Sequence, residues 1–151
     1  MASVEQLEVE RTEEPGEEAV RESIREASEG GPTSRLSRNI LAFAFIGAGI
    51  NHFVNPKFYE PMVPPPLQKQ ASPVVVISGV AEIAGGLGVL LPWTRRLSGA
   101  ALVALLVAVF PANIYMATAP ERFKKVPRWG LYARLPLQPL MMLWAWRATR
   151  R

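Results

Sequence analysis

Glu82 is the residue of this sequence best placed to do chemistry, because it is the one charged residue in a long apolar run. The run is SPVVVISGVAEIAGGLGVLLPW, residues 72–93, and no other charge lies between Lys69 and Arg95. An apolar stretch of this length can cross the ~30 Å hydrocarbon core of a bilayer. A carboxylate at such depth costs about 2.5–3.5 kcal/mol on insertion scales, so it is normally protonated or paired. Glycines three residues before and four residues after Glu82 share its helical face. The run therefore predicts a membrane helix that buries an acid in a glycine-flanked groove, which faces protein and not lipid.

Further polar side chains lie in the other apolar runs: His52 in the first, Asn113 in the third, and Arg134 and Gln138 in the fourth. We name the end at which the chain enters the first helix end A, and the opposite end B. If four helices cross in alternating directions, all of these residues fall in the half of the membrane near end B. We therefore predict that Glu82 pairs with Arg134, and that His52, Asn113 and Gln138 complete a polar pocket open toward end B.

Each of these residues also has a purely structural interpretation. Glu82 is a functional acid, a proton site or a ligand anchor, or else only the partner of a nearby cation. His52 carries protons, or is simply hydrated near an interface. Asn113 is expected to satisfy backbone freed by Pro111, and Gln138 to make a helix-to-helix hydrogen bond. One histidine and one glutamate are too few ligands for a metal site, so none is predicted.

Composition excludes several classes of protein. The 151 residues are enough for one domain, and the absence of cysteine rules out disulfides, thiolate metal sites and thiol relays. The net charge of +4 hides two opposite parts: residues 1–34 hold ten glutamates against three arginines, whereas residues 35–151 carry a net charge of +11. The basic residues bracket apolar runs, which is typical of membrane topology and not of a nucleic-acid-binding surface. We expect no nucleic acid partner.

The predicted fold class is all-α: an antiparallel four-helix transmembrane bundle with a disordered acidic N-terminal tail. The tail covers residues 1–34, which are highly charged and contain Gly and Pro, so they cannot bury enough apolar surface to order themselves. A short helix over 17–27 that docks on a partner is the alternative for this segment. The domain covers residues 35–151, with spans at about 37–54, 73–92, 96–118 and 130–148.

Local features position these spans. Ser37 and Ser72 are the expected caps of the first two helices. Alanines recur at every fourth residue of the third helix and predict a close-packing seam: Ala100, Ala104, Ala108 and Ala112. The basic loop 120–130 is typical of a solvated or lipid-headgroup-binding face. Once Arg134 is assigned to the pocket, end A has a small excess of basic residues, which favours cytoplasmic termini and a multi-pass protein of the cytoplasmic membrane.

Four motifs resemble the DoxX-like family of small four-helix membrane proteins. They are GAGINHF at 47–53, SGVAEIAGGLGVLLPWTRR at 78–96, FPANIYMA at 110–117 and RLPLQ at 134–138. The resemblance covers residues 36–146 and leaves the acidic tail outside. It implies that the polar positions of the family are matched here by a set of five residues: His52, Glu82, Asn113, Arg134 and Gln138. Without cysteine, a thiol-based activity is not implied.

That family includes a subunit linked to a quinone-reducing, thiosulfate-oxidising membrane enzyme, members tied to oxidative-stress complexes, and assembly factors for other membrane proteins. The resemblance implies an accessory subunit of a membrane redox system, with a quinone headgroup between His52, Glu82 and Arg134. We expect no stand-alone enzyme activity, and expect the lipid bilayer and other membrane or redox proteins as partners. The alternatives are an assembly or scaffold factor and, second, a small-molecule carrier, for which four helices without an inverted repeat are a poor match.

Overall fold

The computed structural model describes residues 19–21, 23–24 and 32–150, and all regular structure within these ranges is helical. Five α-helices follow residue 31: α1 Pro32–Val54, α2 Pro56–Tyr59, α3 Ala71–Leu90, α4 Arg95–Thr118 and α5 Arg128–Arg150. Short 3-10 helices lie in the connections, at Glu60–Met62, Pro65–Gln70 and Pro120–Arg122. The predicted all-helical class is therefore confirmed for these ranges. The predicted disordered tail lies outside the described residues, except for 19–21, 23–24 and the start of α1.

Two predicted caps are wrong, because the helices begin earlier than expected. α1 begins at Pro32, a residue whose fixed φ suits the first turn of a helix. Ser37 consequently lies inside α1, where its hydroxyl oxygen accepts a hydrogen bond of 2.8 Å from Trp144 Nε1 on α5. α3 begins at Ala71, so Ser72 lies in its first turn, and no side chain caps this helix.

The four long helices contact one another in a closed cycle, in which α1 packs against α3 and α5, and α4 packs against the same two helices. Gly49, near the end of α1, contacts Gly79 in the first half of α3, and Gly99, near the start of α4, contacts Thr149 near the end of α5. End A therefore gathers the starts of α1 and α4 and the ends of α3 and α5. End B gathers the opposite termini together with α2 and the proline-rich connection.

The core has a larger cluster between the helices and two smaller ones at end B. The larger cluster comprises Leu41, Ala42, Phe45, Val89, Leu102, Leu106, Ala145 and Ala148. The smaller clusters comprise Met62, Met116, Phe123 and Leu131, and Val63, Ala71 and Val75. Among the described residues, two helical stretches are long and apolar enough to cross a membrane. They are α3 together with the 3-10 helix before it, Pro65–Leu90, and α4, Arg95–Thr118.

Glycines bring α1 and α3 into backbone contact. A Cβ atom added to Gly49 would lie 2.6 Å from the Gly79 carbonyl oxygen, and one added to Gly86 would lie 2.8 Å from that of Ala42. A Cβ atom at Gly79 would lie 2.9 Å from Cβ of His52. No residue larger than glycine fits these three positions without separating the helices. The predicted glycine-lined face around Glu82 therefore does pack against protein.

The predicted alanine seam, in contrast, does not pack within the chain. Ala100, Ala104 and Ala108 are exposed, whereas α4 contacts its neighbours through Leu102 and Leu106. Two residues along a helix correspond to a rotation of about 200°, so the leucines and the alanines occupy opposite faces. The sequence spacing identified a row of small residues correctly, but the leucines on the other face form the core.

We predict opposite effects for two Gly→Ala substitutions. Gly79→Ala should lower the free energy of unfolding by about 1–3 kcal/mol, because the added methyl group overpacks the α1–α3 contact. Gly47→Ala is the matched control: no atom lies within 4 Å of the added Cβ atom, so helix propensity should raise the free energy of unfolding by up to about 1 kcal/mol. Thermal and denaturant unfolding in detergent measures both. A Gly79→Ala protein as stable as Gly47→Ala would contradict the close contact.

Candidate functional site

His52 and Glu82 are brought together, and they are the centre of the candidate site. His52 lies in the last turn of α1 and Glu82 in the middle of α3. His52 Nε2 is 3.8 Å from Glu82 Oε2, and the two side chains are only 11% and 14% exposed. The glycine contact between α1 and α3 positions both, because it places the imidazole directly over the backbone of α3.

The hydrogen bond on the other side of the ring defines where the proton sits. His52 Nδ1 lies 3.1 Å from the carbonyl oxygen of Val75. A carbonyl oxygen only accepts, so Nδ1 carries a hydrogen, and Nε2 is the ring nitrogen directed at the carboxyl group of Glu82.

Tyr59 covers His52, and two asparagines are connected to Tyr59 by hydrogen bonds; the sequence did not assign any of these three side chains to the site. The Tyr59 ring lies over the imidazole, with 4.0 Å between the ring centroids. Asn51 Nδ2 donates a 2.6 Å hydrogen bond to the Tyr59 hydroxyl, and Asn55 Nδ2 donates one of 2.7 Å to Asn51 Oδ1. The sequence indicated Asn51 only by its position next to His52. Tyr59 reaches the site because α2 folds the chain back over the end of α1, which the sequence pattern did not indicate.

One oxygen of the carboxyl group has no hydrogen-bond partner. Glu82 Oε2 is buried, and nothing in the described ranges donates to it. Buried polar atoms are nearly always satisfied, and a buried acceptor without a donor costs about 1–3 kcal/mol. The oxygen therefore needs a proton or a donor from outside the described residues, and its neighbour His52 is too distant to supply a full hydrogen bond at 3.8 Å.

The predicted ion pair between Glu82 and Arg134 is wrong. In residues 32–150 the ion-pair partner of Glu82 is His52, and Arg134 is half-buried on α5 without an ion pair. The order of the helices is the reason. α3 and α5 are diagonal in the cycle, since α1 and α4 each lie between them. A glutamate on α3 that faces α1 points away from an arginine on α5.

Asn113 and Gln138 form a second polar group, between α4 and α5. Asn113 Nδ2 donates a 2.7 Å hydrogen bond to Gln138 Oε1, and Gln138 Nε2 donates one of 2.6 Å to the Leu106 carbonyl oxygen. The predicted helix-to-helix hydrogen bond of Gln138 is confirmed. Asn113 bonds to this side chain, not to backbone freed by Pro111 as predicted. No hydrogen bond or ion pair in the part of the chain described here joins this group to His52 or Glu82.

End A also holds a buried polar group, which the sequence placed at the surface as a flanking charge. Arg38 is 8% exposed, and its Nη1 atom has no hydrogen-bond partner among the described residues. The residue is one turn before Leu41 and Ala42, so it shares the inward face of α1. Over the same residues, no group of three or more His, Cys, Asp or Glu side chains could hold a metal ion.

The fold and this site define a protein that is helical throughout the regular structure described, with two helices in that part long and apolar enough to cross a membrane and with a buried histidine–glutamate pair. The chain belongs to the family described as a domain of unknown function, DUF8561, whose model matches residues 41–149. The matched region contains both members of the pair and the second polar group. No curated protein and no solved structure matches the chain.

We predict that double-mutant cycles show Glu82 coupled to His52 and not coupled to Arg134. The variants His52→Phe and Glu82→Gln should give an interaction energy of about 0.5–3 kcal/mol in unfolding, because each removes the partner of the other. The cycle of Arg134→Gln with Glu82→Gln is the control and should be additive within about 0.5 kcal/mol. Strong coupling to Arg134 together with none to His52 would reverse the assignment of the pair.

Gln138→Leu should lower the free energy of unfolding by about 1–3 kcal/mol, because the Asn113 amide group loses its buried acceptor and the Leu106 carbonyl its donor. Gln68→Leu is the control, since Gln68 is exposed and donates only to the Glu60 carbonyl. Urea titration in mild detergent compares the two. Equal losses for both variants would mean that the bridge between α4 and α5 adds nothing to stability.

Proposed function

We propose that the chain is an antiparallel four-helix transmembrane bundle, with several crossings of the cytoplasmic membrane and both termini in the cytoplasm. The apolar outer surface of all four long helices supports this proposal. α1 exposes Ile40, Phe43 and Ile50, and α5 exposes Leu137, Leu140 and Leu143, although neither of these helices is as apolar overall as α3 and α4. Apolar surface of this extent is typical of a protein that contacts lipid.

The distribution of aromatic and charged residues supports the same placement. Trp93 and Trp146 are exposed at end A, and Trp129 and Tyr132 at end B, as expected for two interfacial belts. Charged side chains flank these belts, and Glu82 is the one carboxyl group between them. The strongly charged segment 1–34, with ten glutamates against three arginines, opposes transfer across the bilayer, which favours the cytoplasmic side for end A.

Within the membrane, we propose that the protein is an accessory subunit of a quinone-linked or oxidative-stress redox system, and that the His52–Glu82 pair binds a quinone headgroup. The observation that carries this proposal is the buried Glu82 oxygen without a donor, 3.8 Å from Nε2 of the His52 imidazole. A quinol hydroxyl is a donor suited to Oε2, and a protonated Nε2 is a donor suited to a quinone carbonyl. The resemblance to DoxX-like proteins points in the same direction.

The chemistry of His52 and Glu82 explains why the proposed redox role needs a partner protein. The imidazole and the carboxyl group can hold and transfer one proton, but neither group supplies electrons. A bound quinone would contribute the redox chemistry, and the electrons would come from another protein of the complex. His52 and Glu82 would then bind the headgroup and exchange its proton, and we expect no turnover from the isolated chain.

A second candidate function is an assembly or scaffold factor for other membrane proteins. The outward row of Ala100, Ala104 and Ala108 favours it. Small residues at every fourth position allow the backbone of another membrane helix to approach closely. No helix in the described part of this chain packs on that row, so the row remains open to a helix of another protein.

Extraction of the protein in its native lipid tests the first function against the second. We expect the full chain to carry quinone enriched over bulk lipid, Glu82→Gln to lose the enrichment, and Glu121→Gln to retain it because Glu121 is exposed. Chromatography of the extracted lipids and mass spectrometry of co-purified proteins are the measurements. Absence of quinone from the wild-type protein would overturn the first function. If, in addition, Ala104→Trp removed co-purified membrane proteins, the second would replace it.

A further inference from the structure

A surface groove at end B lies apart from the His52–Glu82 pair. Its volume is about 960 Å³, within the range of ligand pockets, roughly 300–1,000 Å³. One wall is the last turn of α1 with α2, and the other is the 3-10 helix Pro120–Arg122 with the loop that follows it. None of the five residues predicted from the sequence for the polar pocket lines this groove.

The rim of the groove is strongly basic. Four cationic side chains line it, Lys57, Arg122, Lys124 and Lys125, against the single carboxylate of Glu121. All five residues are exposed, and Arg122 is oriented by a 2.8 Å hydrogen bond from its Nη1 to the Tyr115 hydroxyl. The lining of the groove therefore carries four positive charges and one negative charge, which leaves an excess of positive charge.

The inner wall is apolar and continues the outer surface of α1. Phe53, Val54 and Phe58 line the groove and are 46%, 68% and 41% exposed. Ile50, one turn earlier on α1, is also exposed. A ligand that satisfies both surfaces must carry a negative charge at one end and hydrocarbon at the other.

We propose that this groove binds an anionic phospholipid. The lipid phosphate lies among Lys57, Lys124 and Lys125, and the glycerol and upper acyl chains pack against Phe53, Val54 and Phe58. Each basic residue near a membrane surface strengthens the binding of anionic lipid about fivefold. A free anion would leave the apolar wall unused, whereas a phospholipid covers both surfaces. The inference rests on the proposed membrane placement, which puts the groove at headgroup level.

The first test compares charge removal inside and outside the groove. The full-length protein in nanodiscs of phosphatidylcholine is titrated with phosphatidylglycerol, and bound lipid is counted by native mass spectrometry. We expect saturable binding by the wild-type protein, weakened about tenfold or more in the double variant Lys124→Gln/Lys125→Gln. Lys69→Gln/Arg128→Gln is the matched control, because both residues are exposed at end B and neither lines the groove.

The second test blocks the groove without changing its charge. Val54→Trp fills the apolar wall and should abolish the saturable binding. Val80→Trp is the control: Val80 is 54% exposed on α3 and does not line the groove. Thermal unfolding of each variant in phosphatidylcholine alone establishes that the substitution leaves the fold intact.

Three results would overturn the lipid site. They are an equal loss in the Lys69→Gln/Arg128→Gln control, undiminished binding by Val54→Trp, and displacement of the lipid by millimolar inorganic phosphate, which would indicate a free anion as the ligand. Failure of the membrane placement is recognised separately: the chain would be released from membranes by an alkaline carbonate wash and would not enter nanodiscs. A protein that enters nanodiscs but ignores phosphatidylglycerol would refute the lipid site alone.

Discussion

The backbone contact between α1 and α3 is the constraint on which the site depends. Gly49, Gly79 and Gly86 remove the side chains that would hold the two helices apart. Because the helices touch there, the His52 ring reaches a carbonyl oxygen of α3 on one side and Glu82 on the other. A wider separation would leave the carboxyl group of Glu82 without the imidazole beside it. The close packing of α1 and α3 therefore brings the two side chains of the site together.

The cyclic order of the helices divides the polar residues of end B into two independent groups. α1 and α3 hold the histidine and the glutamate, and α4 and α5 hold Asn113 and Gln138. The second group satisfies its own donors and acceptors through the Leu106 carbonyl oxygen, so it acts as a bridge between helices. The first group leaves one buried oxygen unsatisfied. This difference is the reason for assigning structure to one group and function to the other.

The last turn of α1 serves both proposed sites. Successive residues of a helix point about 100° apart, so His52 faces α3 and Val54 faces outward into the basic groove. Phe53 lies between them, with its ring against Gly79 of α3 and also lining the groove. A lipid bound in the groove would therefore contact the same turn that carries the imidazole. Tyr59, which covers the imidazole, and Phe58, which lines the groove, are also adjacent and meet edge to face at 5.3 Å. The two proposals concern opposite sides of one short segment.

The sequence by itself determined the helices, the burial of a lone glutamate among glycines, and the helix-bridging role of Gln138, since apolar periodicity and residue size specify these locally. Only the tertiary structure decided which residue meets Glu82. Periodicity identifies a face of a helix but not the helix that this face contacts, and the diagonal placement of α3 and α5 separates Glu82 from Arg134. For the same reason, the alanine row of α4 was recognised but its outward direction was not. Tyr59 entered the site through a change of chain direction at α2, which has no counterpart in helical spacing.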